Sequence, residues 1–501
     1  MRQTRMKALA MIALLASAEA AAAGGVLTIA RREDSTTFDP IATAQNIDFW
    51  VFMNIHDVLV RVDRSGSKLE PGLAESWTVS EDGLTYTFTL REALFNDGAP
   101  VTSEDAAFSL TRIRDSELSL WSDGYKIIAD MATPDARTLV VTLAEPSAPF
   151  LTTLAMPGAS IVSKAAMQAM GEEAYATDPV AAGAFMVKEW IRGDRVILER
   201  NPHYWEADRV KLDGVEWLSI PDDNTRVLKV QAGEIDAAIF VPFAQVATLR
   251  DVEGLTVHIE PSTREDALLI NHENPALAKQ KVREALDYAI DKQAIVDVVT
   301  FGLGEVANSY VPKGALYYHE GNMRRPRDAE KAKALLAEAG ESGLAITHLV
   351  NAGASVDEQT AVLIQQQLAE AGVTSTIRKV DPSQQWDMLV NGEYDIAVGY
   401  WTNDILDPDQ KTTFVLGHDS NMNYMTRYNN PEVAASVATA RVETDPAKRE
   451  AMYIKLQETA KADVNWIDLY YSPFINVSRN TVTGFYQNPL GRFFLEDVDK
   501  N

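Results

Sequence analysis

The sequence predicts an α/β fold in which sheets are flanked by helices and the domains are interleaved along the chain. Segments that alternate polar and apolar residues, such as LTYTFTL at 84–90, are typical of half-buried strands. From residue 222 onward, helical segments alternate with extended runs, which indicates a sheet covered by helices. The sequence contains no long linker, low-complexity tract or strong internal repeat, so separate domains strung on linkers are not expected.

The chain begins with the three parts of a secretory signal peptide. Basic residues between Arg2 and Lys7 precede a short apolar run, and small residues follow up to Ala23. The apolar run is too short for a membrane span, which needs about 20 residues. We therefore predict a signal peptide at 1–23 and a free, soluble protein in a bacterial periplasm, with secretion into the medium as the alternative.

Composition limits the partners of this chain of 501 residues. It has no cysteine, so disulfides, thiolate metal sites and a lipid-anchored N-terminal cysteine are excluded. The net charge of −26 repels nucleic acid and anionic lipid and favours cationic or zwitterionic ligands, unless it serves solubility alone. We predict a monomer without a nucleic-acid partner, with about three domains at roughly 150 residues per domain.

The first half of the chain is predicted to contain mostly strands. VLTIA at 26–30 is the first of them. DGAPVTSEDAAFSLTRI predicts a turn followed by a helix. Thr102 or Ser103 caps this helix, and acidic residues lie at the positive end of its dipole. FMVKEWIRGDRVILERN, at 185–201, predicts a hairpin whose turn is Arg-Gly-Asp.

Helices and strands alternate in the second half. DNTRVLKVQAGEIDAAIF predicts a helix that ends at Gly233 and a strand after it. In the segment 281–299, apolar residues recur at helical spacing, and Asp291 can cap a second helix. DAEKAKALLAEAG and DEQTAVLIQQQLAEAG open on Asp and end at Gly340 and Gly372, as capped helices do, and an extended run follows each.

Motifs for nucleophiles and metals are scarce. The sequence lacks His-Glu-x-x-His and Gly-x-Ser-x-Gly. Ser65-x-x-Lys68 has the spacing of a penicillin-recognising nucleophile, but it lies in a polar turn without a partner motif. The seven histidines have no metal-ligand spacing. We predict no catalytic residue, no metal site and no cofactor.

The segment GYWTNDILDPDQ, at 399–410, carries the candidate site. Two aromatic residues follow the strand-like YDIAVG and precede Asp404, Asp407 and Asp409. A carboxylate beside an indole at a strand end suits a metal ion, a catalytic acid or a ligand amine, or it is an acidic turn. The spacing misses the calcium loop. Glycosidase carboxylates can lie far apart in sequence, so an exported hydrolase acting on peptides or glycans stays as an alternative.

Several segments, in the same order, resemble the extracellular solute-binding proteins of family 5, the peptide-, nickel- and oligopeptide-type receptors of ATP-binding-cassette (ABC) importers. The resemblance covers nearly the whole mature chain, and its main segments lie at 69–113, 193–217, 220–240, 281–299, 364–381 and 466–485. It implies an α/β fold like that of type II periplasmic binding proteins, with two discontinuous lobes, a hinge and an extra third domain.

The resemblance also implies domain limits. Lobe I would comprise 24–48, 178–262 and 477–501, the extra domain 49–177, and lobe II 263–476. Two crossing strands, one near each limit of lobe II, would form a hinge. The lobes would close on a ligand by bending at this hinge. The closed form would then dock on the permease subunits in the inner membrane.

The resemblance places the ligand site at the same acidic segment. In peptide-binding members, a Trp-x-x-Asp stretch after a strand supplies the carboxylate that pairs with the peptide's α-amino group. Trp401, Thr402, Asn403 and Asp404 match this stretch, which makes Asp404 the predicted amine partner. Backbone groups around Tyr400 and Thr402 would pair with the peptide as an added strand does. Trp401 either walls a side-chain pocket or packs inside the lobe.

Two departures from the family bear on the ligand. Tyr400 stands where many peptide binders have glycine, which implies a narrower pocket. VNAGASVDEQT, at 350–360, has no arginine of the kind that holds a dipeptide's carboxylate. The predicted function is a periplasmic receptor that delivers di- or oligopeptides to an ABC permease, and a non-peptide amine or a metal complex is the alternative ligand.

Overall fold

The computed structural model describes residues 24–418, 420 and 423–501, so the predicted signal peptide lies outside the described residues. The strands, in chain order, are β1 (Gly24–Arg31), β2 (Val60–Val62), β3 (Leu69–Pro71), β4 (Ala74–Val79), β5 (Thr85–Leu90), β6 (Ile128–Asp135), β7 (Thr138–Leu143), β8 (Phe185–Ile191), β9 (Arg195–Arg200), β10 (Leu212–Ser219), β11 (Ala237–Ala238), β12 (Leu255–Glu260), β13 (Glu265–Ile270), β14 (Glu305–Val306), β15 (Ala345–Asn351), β16 (Thr374–Val380), β17 (Ile396–Trp401), β18 (Ile467–Tyr471), β19 (Phe474–Arg479), β20 (Val482–Thr483) and β21 (Asp499–Lys500).

Helices cover both large sheets. They are α1 (Asn46–Phe52), α2 (Ser103–Asp115), α3 (Phe150–Thr153), α4 (Lys164–Met170), α5 (Glu172–Tyr175), α6 (Asp223–Ala232), α7 (Val246–Arg250), α8 (Gln280–Ala289), α9 (Lys292–Val299), α10 (Ala329–Glu338), α11 (Ser355–Glu370), α12 (Pro382–Asn391), α13 (Asp409–Leu416), α14 (Pro431–Val442) and α15 (Pro446–Asp463). No described helix is long and apolar enough to cross a membrane.

The largest sheet is assembled from distant parts of the chain. Its seven strands have the order β12-β19-β11-β1-β10-β9-β8. β1 is parallel to both β10 and β11, and the other pairings are antiparallel. Strands from the beginning, the middle and the end of the described chain therefore share one sheet.

A second sheet is built mainly from the later half of the chain. Its six strands have the order β14-β18-β13-β17-β15-β16. The predicted amphipathic helix covers it as α8, where Val282, Ala285, Leu286 and Ala289 are buried. Asp291 caps α9 by accepting a hydrogen bond from the Ala294 N–H. Both predictions made from the segment 281–299 are confirmed.

The chain passes between the two large sheets at two neighbouring places. Residues 261–264 connect β12 to β13, and residues 472–473 connect β18 to β19. The two connections touch, because the Ser262 hydroxyl donates to the Ser472 carbonyl. β19 begins at Phe474, so the predicted domain limit at 476–477 falls inside this strand.

A smaller antiparallel sheet lies in the first third of the chain. Its strands have the order β4-β5-β7-β6. α2 packs on it and begins after Thr102, whose side chain exchanges hydrogen bonds with Asp105 in a capping box. The hairpin predicted at 185–201 is also present, as β8 and β9.

One local prediction is wrong, and a second is confirmed with a short strand. α11 begins at Ser355, and Asp357, the expected cap, lies in its first turn. The Glu358 carboxylate instead accepts a hydrogen bond from the Gly353 N–H just before the helix. The strand expected after Gly233 is present as the two-residue β11, and Phe240, two residues beyond it, has a positive φ of 54°.

Candidate functional site

A cavity lies where β1, β15 and β17 end. It encloses about 990 Å³, including the part that is open to solvent. The carboxyl ends of strands in open α/β sheets are the usual place for ligands. The lining residues come from both large sheets and the helices around them: Glu33, Ala44, Gln45, Asn46, Ile47, Asp266, Leu269, Asn351, Asp357, Pro382, Gln385, Trp386, Leu389, Val398, Gly399, Tyr400, Trp401, Thr402, Asp404, Tyr424 and Met425.

β17 presents a free backbone edge to this cavity. On one side it pairs with β13 along its whole length. On the other side it pairs with β15 only at Ile396 and Ala397. Among the described residues, no strand pairs with that side from Val398 to Trp401, and these residues line the cavity. An extended ligand could therefore add to the sheet here.

Asp404 places its carboxylate in the cavity wall. One of the carboxylate oxygens has no hydrogen-bond donor among the described residues. The residue is 6% exposed, and its Oδ2 atom has no hydrogen-bond partner among the described residues. Burial raises the pKa of Asp404 to about 7, although Arg492, Gln410 and Lys411 each lower it. The Arg492 Nη2 donates to the Asp404 carbonyl at 2.5 Å and so holds the loop in place. A cation that donates hydrogen bonds would relieve the cost of burying this charge.

The neighbours of Asp404 differ in what they contribute. Trp401 is 8% exposed, lines the cavity and packs against Phe414 with ring centroids 5.3 Å apart, so it is both wall and core. Thr402 also lines the cavity, and its buried hydroxyl lacks a hydrogen-bond partner among the described residues. Asn403 is not part of the described lining; its N–H donates to the Thr263 hydroxyl at 3.1 Å.

Tyr400 lies in the cavity wall, and its ring contacts the guanidinium of an arginine. The Arg264 guanidinium is 3.9 Å from the centroid of the Tyr400 ring, and the Phe240 ring is 6.2 Å away. Arg264 is itself paired with Asp266 at 2.5 Å. Tyr400 lines the cavity, and the narrowing of the pocket relative to receptors with glycine here stays a prediction.

The other two acids of the segment serve the framework. Asp407 forms a bidentate pair with Arg449 at 2.6 and 2.8 Å. Asp409 pairs with Arg441 at 3.0 Å and accepts a hydrogen bond from Tyr453. The described residues include no group of three or more His, Cys, Asp or Glu side chains placed to hold a metal ion. Asp407 and Asp409 are thus each paired with an arginine, whereas Asp404 keeps one carboxylate oxygen without a hydrogen-bond partner among the described residues.

Several lining residues escaped the sequence analysis. Glu33 and Asn351 lie at the ends of β1 and β15, where the general rule on strand ends could have found them. Asp357 was interpreted as a helix cap, and Gln385 and Trp386 carry no local signal. Their shared position depends on how two sheets and α12 pack, which no single segment reveals.

Comparison with known protein families identifies the family of this chain. A family model described as bacterial extracellular solute-binding proteins, family 5, middle region, matches residues 68–423, well over half of the chain. The chain belongs to the bacterial extracellular solute-binding proteins of family 5. Members of this family deliver small solutes to ABC transporter permeases, and the homologues are binding proteins rather than enzymes.

Two family-5 relatives match almost end to end. The glutathione-binding protein GsiB of Salmonella typhimurium is 29% identical over 506 residues, covering 99% of this chain and 98% of the relative. The probable D,D-dipeptide-binding periplasmic protein DdpA of Escherichia coli is 30% identical, covering 94% and 93%.

A solved family-5 structure has the same fold. The periplasmic binding protein DppA of Helicobacter pylori, in complex with the peptide STSA, superposes with a TM-score of 0.87 at 26% identity and covers 95% of this chain and 98% of its own. The predicted fold of a type II periplasmic binding protein is thereby confirmed.

Proposed function

We propose that this family-5 protein is a peptide receptor of an ABC importer and that Asp404 binds the peptide's α-amino group. The observation that carries the proposal is the buried Asp404 carboxylate, which faces the cavity with one oxygen lacking a hydrogen-bond donor among the described residues. An ammonium group supplies both the opposite charge and the donors, and such charge-assisted bonds are the strong ones.

The free edge of β17 supports a peptide over a compact amine. Residues Val398 to Trp401 offer backbone groups to an extended ligand, and Thr402 adds a hydroxyl beside Asp404. The relatives named above are described as a glutathione-binding protein, a probable D,D-dipeptide-binding protein and a receptor in complex with the peptide STSA, which agrees with this class.

The proposal includes how the receptor works in the cell. The protein is exported through a signal peptide at 1–23, acts as a periplasmic monomer and hands its ligand to a permease in the inner membrane. Lobe I (24–48, 178–262 and 477–501) and lobe II (263–476) close by bending at the two connections, and the extra domain spans 49–177. The description of DdpA and DppA as periplasmic supports this location.

The Asp404→Asn variant tests the assignment, with Asp387→Asn as the matched control because Asp387 is exposed on α12 outside the cavity lining. Calorimetry with a peptide bound by the native protein should show a loss of about 2–5 kcal/mol for Asp404→Asn and none for the control.

Acetylation of the peptide's amino terminus, combined with the Asp404→Asn variant, makes a double-mutant cycle. The native protein should lose a similar amount with the acetylated peptide, whereas Asp404→Asn should lose little more, because the same contact is already absent. Unchanged affinity in Asp404→Asn, or additive losses, would remove Asp404 from the amine site.

A further inference from the structure

Several buried polar atoms in the cavity wall lack a hydrogen-bond partner among the described residues. They are Asn351 Oδ1, Gln385 Nε2, Trp401 Nε1, Thr402 Oγ1 and Asp404 Oδ2. The last three belong to the segment at the end of β17 to which the proposed function assigns the amine. Asn351 and Gln385 come from other elements. Because buried polar groups in proteins are nearly always hydrogen-bonded, these two side chains point to a second polar group of the ligand.

Asn351 ends β15 just beyond the point where this strand separates from β17. The ladder between the two strands, as far as the structure describes it, ends at Leu349. Leu349 packs in the same apolar cluster as Leu389 of α12, whereas Val350 packs with Ala361 of α11. Side chains two residues apart on a strand point to the same face of a sheet. Asn351 therefore points, like Leu349, to the face that α12 covers.

α12 directs one side of the helix at the cavity. The helix follows β16 and leads to β17, and it packs against β15, which lies between those two strands. Asn351 pairs with Val380 of β16, two residues before α12 begins, so the first turn of α12 lies close to Asn351. The α12 residues that line the cavity have the spacing i, i+3, i+4 and i+7 of a single helix face: Pro382, Gln385, Trp386 and Leu389.

A peptide added to the free edge of β17 would direct side chains, rather than its backbone, at α12. Its backbone hydrogen bonds would lie in the plane of the sheet, and every second side chain would project to the face that α12 covers. Gln385, in the first turn of α12, lies over that face and is only 7% exposed. One ligand side chain would therefore enter the space enclosed by Asn351, Gln385, Trp386 and Leu389, which we call the α12 pocket.

The α12 pocket combines an apolar wall with one donor and one acceptor. Trp386 and Leu389 form the wall, and the Trp386 ring packs edge-on against Tyr424 with ring centroids 5.2 Å apart. The Gln385 Nε2 is a donor and the Asn351 Oδ1 is an acceptor. A primary carboxamide has the complementary pair, a carbonyl oxygen that accepts and an amide nitrogen that donates.

A carboxylate fits this pocket less well than a carboxamide. None of the described lining residues is Lys, Arg or His, so a ligand carboxylate would meet no cation in the wall. It would also bring no donor to the Asn351 Oδ1. Burying a charge without a partner is costly, so the pocket favours the uncharged group.

We infer that the α12 pocket binds the uncharged carboxamide side chain of a glutamine or asparagine residue, so that the receptor selects peptides that carry one near the amino terminus. The inference rests on the proposed function, since it takes a peptide to lie along β17 with its amino group at Asp404. Gln385 donates to the carbonyl oxygen of the ligand side chain, and Asn351 accepts from its amide nitrogen. Trp386 and Leu389 pack on its methylene groups.

The test compares glutamine with homoleucine, which has the same side-chain shape but no hydrogen-bonding group. Either residue is placed at position one, two or three of a peptide that the native protein binds. Calorimetry should show about tenfold tighter binding of glutamine at one position, because homoleucine leaves two buried groups unpaired. Asparagine and leucine form a second isosteric pair, which shows whether the shorter side chain fits. Glutamate should bind about tenfold more weakly than glutamine at the same position.

A variant of α12 connects the preference to the pocket. Gln385→Met keeps the length of the side chain and removes its amide, so it should reduce the glutamine preference by about threefold or more. Gln384→Met is the matched control, because Gln384 is the exposed neighbour on α12 outside the cavity lining, and it should retain the preference.

The outcomes separate this inference from the proposed function. Equal binding within both isosteric pairs at all three positions, glutamate that binds as tightly as glutamine, or a preference that Gln385→Met leaves unchanged would overturn the carboxamide site while leaving Asp404 untouched. A preference that Gln385→Met reduces, in a protein indifferent to amino-terminal acetylation, would support the α12 pocket and refute the amine role of Asp404. A protein that binds no peptide would refute both. Should Gln385→Met fail to fold, the comparisons of peptides on the native protein still decide.

Discussion

At the scale of single residues, the proposed role of Asp404 and its raised pKa predict that ligand binding depends on pH. The carboxyl group titrates near 7 in the unliganded protein, against 3.8 for an ordinary aspartate. Only the ionised form attracts an ammonium group, so affinity should be about fivefold lower at pH 6 than at pH 7, where half of the carboxyl groups are ionised. Calorimetry from pH 5.5 to 7.5 measures this, and a flat profile would contradict the assignment.

The same titration affects the stability of the unliganded protein in the opposite direction. A carboxyl group whose pKa is higher when folded than when unfolded favours the folded state below about pH 4 and loses that contribution as pH rises to about 7. The contribution of Asp404 to unliganded stability therefore falls over the interval in which peptide affinity rises.

Substitution of Arg492 should shift the pH dependence of peptide affinity. Its guanidinium holds the Asp404 carbonyl and is the largest of the influences that lower the pKa of Asp404. Arg492→Gln should shift the midpoint of the pH profile upward, and Arg492→Lys should shift it less because the charge is kept. A uniform loss of affinity with an unmoved midpoint would mean that Arg492 only holds the loop.

At the scale of secondary structure, the free edge of β17 predicts how a peptide lies. Backbone N–H groups of an added strand point alternately toward and away from its neighbour. Methylating the peptide nitrogens one at a time should therefore weaken binding at alternate positions, by about 1 kcal/mol for each lost hydrogen bond. Calorimetry of the series checks this, and equal tolerance at every position would contradict strand addition.

The elements also show where sequence reasoning succeeds and where it stops. The cap of α2 and the amphipathic face of α8 follow from residues three or four apart, so they were predictable. The shortness of β11 and the positive φ of Phe240 just beyond it are not marked by any local pattern of residues. Asp404 lies in a local motif, so a carboxylate at this place could be predicted. Glu33 and Asp357 line the same cavity from distant segments, after β1 and in α11, and no local pattern marks them as lining residues.

At the scale of the whole molecule, a pair of hydrogen bonds joins helices of the two large sheets away from the connections between the sheets. Asp223, at the start of α6, accepts hydrogen bonds from the Ser355 N–H and hydroxyl of α11 at 3.2 and 3.0 Å. α6 packs on the seven-stranded sheet and α11 on the six-stranded one. If the lobes close on the ligand, this contact belongs to the closed form.

Ser355→Ala removes one of those bonds without touching the cavity lining. The closed form should lose about 1 kcal/mol, so peptide should dissociate roughly fivefold faster with little change in its association rate. Stopped-flow kinetics measures both rates, and Ser436→Ala, an exposed serine on α14, is the control. Identical dissociation from both variants would show that this contact does not hold the lobes together.

The central claim, that this family-5 receptor takes peptides, is tested most directly by native mass spectrometry of the protein released gently from cells grown in rich medium. The account predicts bound masses that fragment as peptides. A single bound mass that does not fragment as a peptide would contradict it, and would leave an importer receptor for a different solute.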